Sequence, residues 1–384
     1  MRIMLICYED MGGYVGSNRQ VMELARALKN IGHRVKIITP RINVSRDNFG
    51  LQLSYIPVIN LPFFRYLSYL CLSPFFLSLE FLKFKPDVVF LFQICLDLGT
   101  FIACSFFKRP FIFYINGIPA EELALRKVPG FIIRCIEYIQ GLYARYSYRI
   151  FAVTDVVRED TSIRYKVPLD KIELLSNGVD TSDFKPMDKA AARKELGFSK
   201  TSPLIGFVAS LYPWQGADYL MHAAVLVKKL LPQARFIIVG KGLMYELLRS
   251  QAKELGVEQN VIFAGSVEFK KVPVYINSFD VCLVFFKPVR KNPGVPMKLY
   301  EYLACARPVI ASNTKGYGDI VESIQAGLSV DASVPEELSA AIIKLLSDEK
   351  SCKIMGENGR RFALANTWEN KARFIEQFLL NIKR

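Results

Sequence analysis

Histidine is nearly absent from this chain, with only His33 and His222 in 384 residues, and the eight cysteines contain no CxxC pair. Structural zinc needs closely spaced His and Cys ligands, and a disulfide framework needs paired cysteines in a small oxidised domain, so neither is indicated. A reducing, cytosolic setting fits. Low-complexity tracts are also missing, and with 51% hydrophobic and 22% charged residues the composition is that of a globular protein rather than a disordered one. No arginine-rich or aromatic-interleaved reader motif occurs, which argues against nucleic acid as a partner. The opening "MRIMLICYED" has strand length, turns acidic and offers no cleavage site, so no signal peptide is expected.

The length suggests two domains, each with its own core. The formal charge of +14 is shared by both halves rather than carried in a tail, which suits anionic partners such as nucleotide phosphates or lipid headgroups. One segment stands apart. Between Asn48 and Leu79 the only charged residue is Arg65, yet Pro57, Asn60, Pro62, Arg65 and Pro74 interrupt any run long enough to span a bilayer. The segment reads either as a strand plus a buried helix or as a surface lying on a membrane, where Arg65, Lys83 and Lys85 are the nearby cations.

Short runs rich in Val, Ile, Phe and Tyr alternate with helical stretches along the chain: "RIMLICYE", "HRVKIIT", "PDVVFLF", "PFIFYIN" and "YRIFAVT", then "PLIGFVAS", "ARFIIVGKG", "NVIFAGSV", "VCLVFF" and "RPVIAS". In the first intervening stretch Val21, Leu24, Ala25 and Leu28 recur at helical spacing. Such alternation predicts an α/β protein with two doubly wound parallel sheets. The turn-rich "LLSNGVDTSDFKP" marks the boundary, giving one domain over 1–180 and another over 181–365, with 366–384 as an amphipathic C-terminal helix.

In parallel sheets ligands collect beyond the carboxyl ends of the strands. Gly12, Gly13 and Gly16 follow the first strand and open a helix, but "GGYVG" is not the GxGxxG fingerprint and no acidic residue ends the second strand, so a tight turn and a ligand loop both remain open. "VASLYPWQG", ending at Gly216, and "IIVGKG", with Gly240, are similar loops in the second half. The richest stretch is "PMKLYEYLACARPVIAS": Lys298 and Glu301 lie one turn apart at the start of a helix that follows a strand. They can pair with each other. Alternatively the carboxylate holds two vicinal ribose hydroxyls and the ammonium neutralises a diphosphate.

The order of "GGYVG", "GHRVKIIT", "SNGVDTSDFKP", "GFVASLYPWQGADYL", "FIIVGKG", "VIFAGSV" and "KLYEYLACARPVIAS" resembles the retaining family-4 glycosyltransferases of GT-B fold, in particular a bacterial and archaeal glycan-assembly subgroup, over essentially the whole chain. The resemblance implies two facing Rossmann-like domains with a deep interdomain cleft, the C-terminal helix returning to the first. It implies donor contacts from Ser210, Gln215, Gly216, Gly240, Arg290, Lys291, Lys298, Leu299 and Glu301. Glu301 matches the second glutamate of the family's E-x7-E motif, which holds the ribose. The first glutamate is replaced by Pro293, and the loop arginine and lysine of many relatives by Ser210 and Gln215. Lys298, helped by Arg290 or Lys291, is left to meet the diphosphate. "YINGIPAEE" resembles a first-domain loop of the subgroup, which would bring Asn116 and Glu122 to the acceptor side with Gly12, Gly13 and Gly16.

The activity so implied moves a sugar, with retention, from a nucleoside diphosphate sugar to a glycan or lipid-linked acceptor in surface polysaccharide or glycoconjugate assembly. Lys298 and Glu301 are its catalytic candidates. No cofactor or metal is required, since no DxD occurs and cationic side chains with helix N-termini can hold the phosphates. A cytoplasmic enzyme, peripheral on the inner face of an anionic membrane, is the expected setting. The missing glutamate, arginine and lysine keep a catalytically impaired sugar-nucleotide-binding protein in view, alongside an epimerase or hydrolase on the same fold. His33 and His222 read as structural.

Overall fold

The structure is a computed structural model that describes residues 1–12, 16–44, 50–94, 97–125, 128–287 and 294–382, with the backbone alone at 17, 62, 63, 122 and 125. The chain divides into two compact units, one formed by 1–177, 292–294 and 368–384, the other by 178–291 and 295–367.

The first unit is built on seven strands, β1 (Arg2–Ile6), β2 (Arg34–Pro40), β3 (Gln52–Ile56), β4 (Val88–Phe92), β5 (Phe111–Ile115), β6 (Arg149–Ala152) and β7 (Ile172–Leu174). They pair in parallel in the order β3-β2-β1-β4-β5-β6-β7. Every residue of β4 and β5 is buried, as expected of strands covered on both faces. The connecting helices are α1 (Gly16–Asn30), α2 (Pro62–Phe84), α3 (Leu98–Phe106), α4 (Pro119–Leu125), α5 (Gly130–Tyr146) and α6 (Asp155–Tyr165). In α1 the predicted stripe of Val21, Leu24, Ala25 and Leu28 is fully buried.

The uncharged segment becomes β3 and most of α2, and here the structure departs from the sequence reading. Pro74 does not break the run: α2 continues through it to Phe84, and Ser78 Oγ donates back to the Pro74 carbonyl at 2.7 Å. Proline removes only one backbone donor from the ladder, and a long helix with other contacts accommodates that loss. Residues Phe64–Phe84 are therefore long and apolar enough to cross a membrane, but a third of their most apolar stretch is buried within the protein. Neither a wholly buried helix nor an interrupted one describes α2.

The second unit begins with α7 (Lys189–Glu195) and alternates β8 (Leu204–Val208), α8 (Ala217–Leu230), β9 (Arg235–Val239), α9 (Tyr245–Glu254), β10 (Val261–Gly265), α10 (Val272–Ser278), β11 (Val281–Val284), α11 (Met297–Ala304), β12 (Val309–Ser312), α12 (Gly318–Ser323), β13 (Gly327–Val330), α13 (Pro335–Leu346) and α14 (Glu349–Ala365). Its six strands are parallel in the order β10-β9-β8-β11-β12-β13. Cores lie on both faces of the sheet, one around Leu220, Ile238 and Leu283, the other around Leu299, Tyr302 and Val309. The last helix, α15 (Trp368–Ile382), belongs to the first unit, where Phe374 and Phe378 pack on Phe151 of β6. His33 Nε2 lies 3.4 Å from Glu376 of this helix, and His222 sits 3.3 Å from Gln251.

Candidate functional site

In the second unit the strand order reverses direction between β8 and β11, and loops leaving two such strands diverge to open a crevice at the carboxyl end of the sheet. The loop after β8 ends in the turn Pro213–Gln215 and enters α8 at Gly216; the loop after β11 leads to α11. Lys298 joins the two, its Nζ donating to Gln215 Oε1 at 2.9 Å. The ammonium also lies 4.3 Å from the ring centre of Phe207 on β8 and 5.4 Å from that of Phe286 after β11. A cation over aromatic faces is attracted by their quadrupoles, but this one has lost most of its water. Burial pulls Lys298 down to about 7 from the ordinary lysine value, with nearby Glu301 acting in the opposite direction.

Glu301 follows one turn later and is buried. Next on the helix, Tyr302 fixes α11 against the sheet, its hydroxyl accepting from the Val208 N–H at 2.8 Å. The first turn of α11 carries helix N-terminal N–H groups on the same side as Lys298, a positive end suited to an anion. Around the mouth, Lys287 pairs with Asp218 at 2.6 Å, and Tyr212 stacks on Trp214 with ring centres 4.7 Å apart. Ser210 is exposed on this loop.

Gly240 and Leu299 have structural duties. The loop after β8 zips onto the loop after β9 through Ala209 N–H to Val239 O and Leu211 N–H to Lys241 O, at 2.9 and 3.0 Å. A Cβ on Gly240 would lie 1.9 Å from the Ala209 carbonyl oxygen, and its φ of +130° disfavours any side chain. Leu299 points into the core and gives its N–H to the Pro296 carbonyl. Arg290, Lys291 and the Pro293 position lie outside the described residues.

In the first unit a buried polar chain gathers residues that the sequence scatters. Asn116, just after β5, donates to Gln20 Oε1 at 2.8 Å; Gln20 Nε2 donates to Asn177 Oδ1 at 2.6 Å and to the Tyr114 hydroxyl at 3.0 Å. The Tyr114 hydroxyl donates in turn to the Leu175 carbonyl at 3.2 Å, and Lys371 of α15 donates to Ser176 Oγ at 2.9 Å. Burial lowers Lys371 to about 8. Asn116 and Asn177 thus meet through Gln20, a residue with no motif around it; its only signal in the sequence is a polar side chain beside the apolar stripe of α1. Gly12 lies in a turn in which its N–H goes to Asp10 Oδ1 at 2.8 Å, and Asn43 also donates to Asp10. Gly16 begins α1 with a left-handed φ of +57°. Gly13 and the side chain of Glu122 lie outside the described residues.

Two family models match the chain: "Glycosyltransferase Family 4" over residues 14–183 and "Glycosyl transferases group 1" over residues 188–362. Among curated proteins, a GDP-mannose-dependent monoacylated alpha-(1-6)-phosphatidylinositol monomannoside mannosyltransferase of Corynebacterium glutamicum is 35% identical over 51% of this chain and 53% of its own length. A D-inositol 3-phosphate glycosyltransferase of Segniliparus rotundus is 30% identical over 61% of this chain and 52% of its own. The chain therefore spans about half the length of the curated relatives it matches. Among solved structures, HepE of Anabaena in complex with UDP superposes with a TM-score of 0.79 at 18% identity, covering 99% of this chain and 100% of that one. The fold is GT-B.

Proposed function

The chain belongs to glycosyltransferase family 4, and from that membership we propose that it is a retaining hexosyltransferase whose second unit binds a nucleoside diphosphate sugar and whose first unit receives the acceptor. The observation that carries the reading is Lys298, a buried ammonium at a helix N-terminus and a sheet switch point, held between two aromatic rings and Gln215. Burial disfavours the ammonium and Glu301 offsets this only in part, so a further negative charge beside it is favourable. A diphosphate supplies that charge.

In this reading Glu301 accepts hydrogen bonds from the ribose hydroxyls, while Lys298 and the first N–H groups of α11 face the diphosphate. Gln215 orients Lys298 where many relatives carry a second cation. Ser210, Gly216 and the segment with Arg290 and Lys291 complete the donor pocket. Gly240 serves by keeping two loops close, and Leu299 by anchoring α11.

The bond between the anomeric carbon and the diphosphate oxygen breaks on the same face on which the acceptor oxygen bonds to that carbon. The acceptor's proton passes to the departing phosphate oxygen. The protein contributes positioning and stabilisation of the charge that grows on the leaving group. Such a mechanism needs no resident metal, so chelation leaves the rate unchanged. Asn116, Glu122, Gly12, Gly13 and Gly16 serve the acceptor, with Gln20 holding Asn116 in place.

The printed names of the relatives describe a GDP-mannose donor and a phosphatidylinositol mannoside acceptor, and the solved neighbour holds UDP. A glycan or lipid-linked acceptor is proposed here too, with the enzyme working on the cytoplasmic face of an anionic membrane. The test is to incubate the protein with GDP-mannose or UDP-glucose and a lipid-linked sugar extract, then read the anomeric coupling of the product by NMR. Retained configuration supports the reading; inversion, or free sugar with no transfer product, defeats it.

A further inference from the structure

Helix α2 is apolar on its outward side as well as its inward one. Tyr69, Leu77, Phe81 and Phe84 are buried against the sheet together with Ser68, Ser73 and Glu80, while Phe64, Leu67, Leu72, Phe75, Leu79 and Leu82 are exposed. From Phe64 to Leu82 no exposed position bears a charge. Soluble helices put the apolar stripe inside and the polar face out. A contiguous apolar surface of this kind marks a site of interaction.

The orientation is built in. Glu80 forms an ion pair with Lys36 of β2, and both side chains are buried. Ser68 Oγ accepts from the Ile59 N–H at 3.0 Å, and Tyr69 meets Tyr8 edge to face at 4.9 Å. Rolling α2 over would leave Lys36 buried without its carboxylate. The same pair argues that α2 lies on its domain rather than crossing a bilayer, despite its length.

Helix α3 extends the face. Gly99 packs so closely on α2 that a Cβ there would lie 2.4 Å from Ser73 Oγ, and further along Phe81 packs on Phe107 at 5.3 Å between ring centres. The two helices therefore run side by side in the same direction, bringing exposed Leu98, Ile102 and Phe106 next to the outward side of α2. Phe75 and Phe106 are 74% and 78% exposed, values that decide against their being core. Both helices end in cations: Lys83 and Lys85 on one, Lys108 and Arg109 on the other, all exposed. No exposed residue on either helix is acidic.

We propose that the α2–α3 face docks on the surface of an anionic bilayer, with its apolar side chains at the acyl boundary and the four cations among the headgroups. Charge decides for lipid over a second copy of the chain, because the face carries cations and no exposed acidic residue, so a second copy offers it no opposite charge whereas an anionic headgroup does. An apolar stripe rimmed by Lys and Arg is the composition of an interfacial helix, and each cation near an anionic surface adds to the attraction. The surface is separate from Lys298 and Glu301, so its failure would leave the donor reading standing, and the reverse.

The experiment is co-sedimentation of the whole chain with phosphatidylcholine vesicles, pure or containing about one third phosphatidylglycerol. Wild-type protein is expected in the pellet with the anionic vesicles. Phe75→Glu combined with Phe106→Glu should reduce binding at least about tenfold, and Lys83→Glu with Lys108→Glu should reduce it at low salt. In each variant the thermal shift produced by nucleoside diphosphate should match that of the wild type, showing that fold and donor site are intact. Wild-type protein left in the supernatant, or variants that bind as well as wild type, would overturn the proposal. A wild-type dimer in sedimentation velocity that the Phe75 and Phe106 changes dissolve, without vesicle binding, would assign the face to a second copy instead.

Discussion

At the scale of single residues, the account depends on what burial does to Lys298. With its value drawn down to about 7, the empty site is increasingly neutral above that pH, whereas a bound diphosphate favours the ammonium. Binding therefore takes up a proton in mildly alkaline buffer, and affinity should fall by up to about tenfold per pH unit above neutrality. Calorimetric titration in two buffers of different ionisation heat measures this directly. Lys298→Arg keeps its charge and should bind with little pH dependence. The neighbouring glutamate plays a different part, so Glu301→Ala should weaken nucleotide binding by about tenfold to a hundredfold, the usual worth of a charged hydrogen-bond acceptor. Lys298→Ala should lower turnover by about a hundredfold or more while affecting binding less, because charge on the diphosphate grows as the bond breaks. Equal losses in binding alone from both variants would remove the role given to Lys298.

At the scale of elements, two close approaches set the positions of functional loops. Gly240 lets the loop carrying Gln215 lie against the loop after β9, and Gly240→Ala would force Cβ into the Ala209 carbonyl at a left-handed φ. A loss of about 2 kcal/mol or more is expected, read as a lower melting temperature together with weaker nucleotide binding. The second case is the Lys36–Glu80 pair beneath α2. Glu80→Ala alone should destabilise the protein by about 3 kcal/mol because Lys36 stays buried, while adding Lys36→Met should recover much of that, as denaturant titration would show. The sequence disclosed that the segment was nearly uncharged but not which way it faced. Ser68, Ser73 and Glu80 lie inside, and for Glu80 the position of Lys36 on a neighbouring strand explains why. The edge strands β7 and β13 escaped the sequence reading because they are short and only partly buried, so they lack the continuous apolar run that identified β4 and β5.

At the scale of the whole molecule, the alternation of strands and helices was legible because parallel strands buried on both faces write themselves as apolar runs. The pairing of Lys298 with Gln215 was half legible: both residues stood in recognisable loops, but their meeting across the β8–β11 reversal is a property of strand order. Phe207 and Phe286 were hidden for the opposite reason, since an aromatic residue at a strand end looks like any other core residue until a cation is found over it. Gln20 was hidden because it belongs to no motif, and its partners Asn116 and Asn177 lie far away in the chain.

The central claim is that the second unit binds a nucleoside diphosphate through Lys298 and Glu301. The most direct measurement is calorimetric titration of the purified chain with UDP, GDP, ADP and CMP, with and without magnesium, repeated on Glu301→Ala. The account predicts saturable binding of one nucleoside diphosphate, indifferent to magnesium and weakened at least about tenfold by the substitution. Absence of binding by all four, or binding that the substitution leaves unchanged, would contradict it.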